Sequence, residues 1–250
     1  MENASRLWDG VILRVAESFC ALNKALIAPE YSAPREKRMK NLFVVTHAQS
    51  LHHIEKKVGG WYDTGLTQQG YRDANAIADR LSSVVTDGPV EIFSSDLLRA
   101  SQTADVIGER LKRPIHTDSD LREISYGCAE GMPQEWLDAR QVPAPDDSRL
   151  DHRGGIENGE TRREVAERVY RAVDAIVSRP CETQIIVTHG FALTFVIAAW
   201  IKMPVDAVAY VSFPARSGSI THLKQDDYWR SRAVVLLADC SHLQETAKHA

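Results

Sequence analysis

The 250-residue sequence lacks several signals that would place it in a specialised class. It has no C-x-x-C pair: Cys20, Cys128, Cys181 and Cys240 lie far apart, which excludes a zinc ribbon and a thioredoxin-type motif. Such isolated cysteines read as reduced thiols of a cytoplasmic protein. It has no apolar run of the ~18 residues needed to span a bilayer. Asp9, Arg14 and Glu17 interrupt the N-terminal apolar residues, so that segment does not read as a signal peptide. It has no basic excess either. With 30 Lys plus Arg against 34 Asp plus Glu, the net charge is -4, which argues against a nucleic-acid binder but leaves room for a local pocket for a small anion. No internal repeat or low-complexity tract is present. What remains is 44% apolar and 26% charged, enough to bury a sizeable core and too apolar for general disorder.

Residues 5 to 28 carry Leu7, Trp8, Val11, Ile12, Val15, Phe19, Leu22 and Leu26 at helical spacing. Two prolines and a charge run follow, so residues 1–38 read as a helical extension with a linker, and residues 39–250 as the main domain. The extension either packs on its own domain or serves docking and dimerisation.

From Asn41 the pattern alternates. Leu42 to Val45, Glu91 to Ser94 and Gln184 to Val187 read as buried strands. Helical stripes begin at Thr67, after Asp96 as a cap, at Thr161 with a capping box to Glu164, and at Phe191. Two more strands are expected near Ser219 to Leu223 and Ala233 to Leu237. The expected fold is a three-layer α/β/α sandwich with a mainly parallel central sheet.

Val44-Val45-Thr46-His47-Ala48 and Ile186-Val187-Thr188-His189-Gly190 share one local design: an apolar strand ending in Thr-His and then a tiny residue. Ligands of open α/β sheets bind outside the carboxyl ends of the strands, so both histidines project toward one rim if the strands are neighbours. Ala48 and Gly190 would let backbone N–H groups approach an anion. The alternative is two unrelated strand-end histidines satisfied by hydrogen bonds.

At these residues the sequence resembles the histidine phosphatase superfamily, in its phosphoglycerate-mutase-like branch. Thr46-His47-Ala48 stands where the family has Arg-His-Gly. Gly59-Gly60-Trp61-Tyr62-Asp63 with Leu66-Thr67-Gln68-Gln69-Gly70, then Ser94 to Ala104, then Leu121-Arg122-Glu123 with Gly127 and Glu130-Gly131, and finally Thr188-His189-Gly190 follow in family order. The resemblance implies a metal-independent phosphatase acting on a small phosphorylated metabolite, without a cofactor. His47 would be the nucleophile, Arg99 the phosphate-binding fork, Glu123 the proton donor and then base, and His189 a transition-state contact. Taken singly, Arg99 reads as a solvated helix-start residue and Glu123 as a loop surface charge; their order and spacing together favour the functional reading for all four.

Thr46 replaces a charged donor, a loss worth about 10²–10³ in rate in such a site. Either another cation substitutes, in the order His53, His52, Arg216, or the protein is a weakened or inactive phosphate-ester-binding module. A metal site at His47, His52 and His53 is disfavoured by spacing. The family's mutases carry a long insertion after Glu-Gly. Here only Met132 to Asn158 intervenes, so hydrolysis is expected over phosphoglycerate-mutase-type transfer. Trp61, Tyr62, Tyr126 and Trp136 are candidates for lining a pocket or for packing.

Overall fold

The computed structural model describes residues 39–85 and 88–243. The helix expected over residues 5 to 28, its linker and the association expected of it lie outside the described residues, as does the end of the main domain beyond residue 243.

Strands β1 (Lys40–Thr46), β2 (Val90–Ser94), β3 (Ile115–Thr117), β4 (Thr183–Thr188), β5 (Ile220–Gln225) and β6 (Arg232–Asp239) form one sheet in the order β3-β2-β4-β1-β5-β6. The first four neighbours pair in parallel. β5 runs antiparallel to β1, and β6 antiparallel to β5. Strands β1 and β4 are continuous apolar runs because helices cover both faces of the sheet there.

Alternate residues of β1 sort onto the two faces. Phe43 and Val45 join the core under α2 (Gln68–Val84) and α3 (Leu98–Leu111). Leu42 and Val44 join the core under α5 (Arg162–Ser178) and α6 (Gly190–Trp200). On α2 the stripe Ala74, Ile77, Ala78 and Leu81 is fully buried, and each such leucine or isoleucine contributes about 1.5–3 kcal/mol of apolar burial. Helix α6 is apolar all round and buried all round. Two short helices, α1 (Leu51–Ile54) and α4 (Gln134–Asp138), lie in the segments that follow β1 and β3 in the chain. No helix among the described residues is long and apolar enough to cross a membrane.

The helix starts explain themselves, with one correction. Thr67 accepts the Gly70 N–H at 2.9 Å, and Thr161 and Glu164 form the expected reciprocal box at 3.1 and 2.8 Å. Asp96 does not cap α3. Its carboxylate takes the Arg122 fork at 2.7 and 2.5 Å, and the Leu98 N–H is instead accepted by Asp63 at 2.6 Å. The β3 edge strand was not expected. It follows Pro114, and only Ile115 is apolar in its three residues.

Candidate active site

The site stands on the carboxyl ends of three adjacent parallel strands. His47 follows β1, Ser95 follows β2 and His189 follows β4. The ladder continues one step past each strand, since His47 N–H donates to Thr188 O and Ser95 N–H to Val187 O, both at 2.9 Å. This register brings the His47 and His189 rings to a centroid separation of 5.0 Å, so the two Thr-His turns share one rim.

A hydrogen bond to a carbonyl assigns the His47 tautomer. His47 Nδ1 lies 2.8 Å from Ala48 O, which can only accept, so Nδ1 carries the proton and Nε2 keeps its lone pair. His189 Nε2 lies 2.9 Å from Ser95 Oγ, which also receives the Leu97 N–H at 3.3 Å. With the hydroxyl proton given to Nε2, His189 Nδ1 carries N–H, and that nitrogen is buried without a partner. A buried unsatisfied donor costs about 1–3 kcal/mol, and an incoming phosphoryl oxygen would relieve that cost. Burial and the Arg99 charge hold both rings well below the ordinary histidine pKa, so both are neutral nucleophile or donor groups rather than imidazolium.

Arg99, the second residue of α3, is 1% exposed. Its Nε–H donates to His47 Nε2 at 3.1 Å, Nη1 to Tyr62 O at 3.1 Å and Nη2 to Gly60 O at 2.7 Å. A guanidinium has five N–H donors, so two remain for phosphate oxygens. Gly60 has φ +55, and a Cβ there would stand 3.0 Å from Glu130 Oε1 and 3.1 Å from Ile124 O. Only glycine fits a loop that must both turn in this region and present its carbonyl to Arg99.

Glu123 is carried on the loop after β3. Its carboxylate accepts N–H groups from Ile124 at 3.0 Å and from Phe191 and Ala192 at 3.1 Å, which seats it on the first turn of α6. Burial pushes its pKa up, and the three backbone donors with Arg99 offset this only in part. The net direction favours a carboxylic acid able to give up a proton. Arg168 fixes the loop, donating to the carbonyls of Asp120 at 2.9 Å, Arg122 at 2.6 Å and Glu123 at 2.8 Å while paired with Glu160 at 2.8 Å. Trp61 Nε1 adds a bond to Glu123 O at 2.7 Å, so this tryptophan braces the loop. Glu130 Oε1 ties Trp61 N–H to Ser125 and Tyr126.

The structure thus gathers His47, Arg99, Glu123 and His189 but treats the remaining candidates differently. Thr46 turns away from the cluster. Its hydroxyl donates to Arg216 O at 2.6 Å, lies 2.9 Å from Ser219 Oγ and accepts the Ser219 N–H at 3.0 Å, locking β1 to the turn before β5. Arg216 contributes that carbonyl through its backbone, and its side chain is exposed. The Ala48 N–H is taken by Thr103 Oγ1 at 3.1 Å rather than left for an anion. Gly190 opens α6 with open space over it, the nearest atom to a Cβ being Ala215 O at 3.9 Å.

His52 and His53 do not supply the expected cation. His52 is buried with Nδ1 on Ser50 Oγ at 3.0 Å and Thr64 Oγ1 at 3.1 Å, and its Nε2 faces Gly59. Burial first, then His53 and Arg99, lower its pKa to about 3. The His53 ring stacks on His47 at 5.6 Å and 11°, and its Nδ1 accepts the Ser50 N–H at 3.2 Å. Although His53 keeps an exposed edge, desolvation against His47 and the Arg99 charge lower its pKa too. It offers a neutral Nε2–H, not a positive charge.

Sequence reasoning missed Ser95, Arg168 and Asp63. Ser95 and Asp63 sat within the quoted motifs without an assigned role, and Arg168 reads as one more charge on an amphipathic helix. Among the described residues no group of three or more His, Cys, Asp or Glu side chains is placed to hold a metal ion.

The profile of the histidine phosphatase superfamily (branch 1) matches residues 42–236. The probable phosphoglycerate mutase GpmB of Erwinia tasmaniensis is 29% identical over 214 residues, covering 84% of this chain and 97% of that protein. Among solved structures, Bacillus stearothermophilus YhfR has a TM-score of 0.66 and 28% identity, covering 82% of this chain and 100% of that one. A mycobacterial glucosyl-3-phosphoglycerate phosphatase has a TM-score of 0.64 and 27% identity, covering 80% of this chain and 99% of that one. Since the matched span runs from β1 into β6 and includes both histidine turns, the chain belongs to the histidine phosphatase superfamily.

Proposed function

We propose that the protein hydrolyses phosphomonoesters through a phosphohistidine at His47. One observation carries this reading: His47 is buried, neutral and fixed in the tautomer that leaves an Nε2 lone pair beside the Arg99 fork. Phosphoryl transfer needs positioning and charge stabilisation more than covalent machinery. On substrate arrival, the Arg99 N–H groups pass to the phosphoryl oxygens, joined by His189 Nδ1–H and the neutral His53 Nε2–H. His47 Nε2 attacks phosphorus, the P–O bond to the alcohol breaks, and Glu123 protonates the leaving alkoxide. Glu123, now a carboxylate, takes a proton from water as its oxygen attacks the phosphohistidine. Phosphate leaves and His47 is restored. No metal enters this scheme.

The neutral Thr46, committed to the turn before β5, leaves Arg99 as the formal cation at the nucleophile, so turnover is expected to be slow. The test is phosphate release from a panel of phosphomonoesters in the presence of chelator, with acid quenching to trap an acid-labile phosphoenzyme. His47→Ala should abolish both signals. Transfer to an added phosphoglycerate in preference to water would favour the mutase activity that the Erwinia relative is named for. Ester binding without turnover would favour a non-enzymatic module.

A further inference from the structure

A cleft of about 500 Å³ lies beside the catalytic rim, lined in part by Ile124, Tyr126, Arg149, Arg153, Arg162 and Phe191. It meets the site at the general acid, because the Ile124 and Phe191 N–H groups are two of those that hold the Glu123 carboxylate. A leaving alcohol protonated by Glu123 therefore has this cleft as its neighbour.

Two arginines in the cleft are fixed in place but not neutralised. Arg162 donates Nε to Val208 O at 2.8 Å and Nη2 to Val211 O, and its guanidinium covers the Phe191 and Phe195 rings at 5.2 and 5.1 Å. Arg149 donates Nε to Ala209 O at 3.0 Å and lies 4.6 Å over the Tyr210 ring. Among the described residues neither forms an ion pair with a carboxylate. Of the other charges nearby, Arg153 is paired with Glu164 and also donates to Gly159 O, and Glu160 is paired with Arg168, while Asp138 and Asp146 accept hydrogen bonds from the neutral Gln134 amide and Tyr210 hydroxyl and keep their charge without pairing either arginine. Burial and the neighbouring Arg149 charge lower the Arg162 pKa, as expected of two like charges without a counter-ion.

The geometry points to a second anion-binding subsite: the cleft takes the alcohol portion of the phosphomonoester, and Arg149 and Arg162 hold an anionic group on its far end. Carboxylate and phosphate share the planar or tripodal oxygen array that an arginine fork recognises. This subsite rests on the phosphatase reading for its connection to catalysis, but its binding can be measured separately.

Phenyl phosphate and 4-carboxyphenyl phosphate differ only in the distal carboxylate. The wild type should favour the carboxylated ester by about tenfold or more in kcat/KM, mainly through KM. Arg149→Met should collapse that ratio toward one, and Arg149→Lys should restore part of it. Arg149 is the residue to vary, because Arg162 also ties two carbonyls and packs on two rings. Calorimetric titration with benzene-1,4-dicarboxylate gives a readout independent of turnover, with binding to the wild type weakened in Arg149→Met. Hydrolysis of both esters without preference, together with no Arg149-dependent dicarboxylate binding, overturns the subsite and leaves the phosphatase reading standing. Arg149-dependent binding without hydrolysis of either ester supports the subsite and rejects the catalytic reading.

Discussion

Arg99 Nε–H points at the lone pair of His47 Nε2 from 3.1 Å, so the buried charge proposed to bind the phosphoryl group also holds the proposed nucleophile. The contact does three things. It fixes the ring's rotation, it disfavours protonation of Nε2, and it keeps a buried guanidinium satisfied until an anion arrives. Removing Arg99 therefore removes an oxyanion donor and the restraint on His47 together. Arg99→Ala should lower kcat/KM by about 10²–10³, as for loss of one strong transition-state donor. Arg99→Lys should recover little, because one ammonium cannot reach Gly60 O, Tyr62 O and His47 Nε2 at once. A lysine variant with wild-type kcat/KM would show that the fork is not needed.

The pH profile follows from two opposite shifts. The proposed reaction needs His47 neutral and Glu123 protonated. The depressed His47 pKa keeps the ring neutral to lower pH, and the raised Glu123 pKa keeps the acid protonated to higher pH. So kcat/KM should rise as pH climbs through the His47 pKa and fall as it climbs through that of Glu123, a bell whose optimum lies between the two. His52 and His53, the substitute cations expected from sequence, do not set the alkaline limb, because burial first lowers both, followed by His53 and Arg99 for His52 and by Arg99 for His53. Glu123→Gln should remove the alkaline limb and cost about 10²–10⁴ with alkyl phosphates. Formation of the phosphoenzyme from 4-nitrophenyl phosphate should suffer less, since nitrophenolate leaves without a proton. An unchanged profile in Glu123→Gln would assign the acid elsewhere.

Sequence and structure part company where a property depends on a neighbour distant in the chain. The strands at Leu42–Val45 and Gln184–Val187 were legible because burial on both faces writes a continuous apolar run. The Thr161–Glu164 box was legible because it is local. The Thr-His repeat predicted a shared rim, and the parallel register Thr46↔Thr188 provides one. The direction of the Thr46 hydroxyl was not legible, since its partners Arg216 and Ser219 lie about 170 positions away. Nor was the cap of α3. Asp96 has the right residue type in the right place, but Arg122 claims its carboxylate and Asp63 takes its role. Ionisation states were also hidden, because the low pKa of His52 comes from burial under the segment that carries Gly59 and Thr64.

Arg168 is a positioning residue on the same argument. It is 7% exposed and holds three carbonyls of the Glu123 loop as well as Glu160. Breaking a buried pair by removing one partner costs about 3–5 kcal/mol. Arg168→Met should lower the unfolding free energy by about that much, and in the folded fraction kcat should fall more than KM rises, because Glu123 loses its placement. Arg168→Lys should recover part of the stability through Glu160 but leave some loop carbonyls without a donor. A folded Arg168→Met protein with wild-type kcat would show that Trp61 and the start of α6 suffice to hold the loop.

The buried histidines also make stability depend on pH, and His52 provides the cleanest test because the proposed chemistry does not use it. Its pKa falls from an ordinary 6.5 to about 3 on folding. Below pH 6.5 the unfolded chain takes up a proton that the folded His52 refuses, so the unfolded state gains as pH falls. The contribution is fully present above pH 6.5 and is lost progressively toward pH 3, at a rate of at most about 1.4 kcal/mol per pH unit for one proton. Asparagine can keep a hydrogen bond to Ser50 or Thr64 without titrating. Denaturant midpoints measured across this window should therefore fall less steeply with acid in His52→Asn than in the wild type. The residual slope would come from the other histidines whose pKa values are lowered by burial, His47, His53, His189, His222 and His242, and from carboxylates held low by arginines, such as Glu91 and Asp96. Parallel wild-type and variant curves would mean that His52 accepts its proton in the folded state, and the ring would then be available as the cation that Thr46 does not supply.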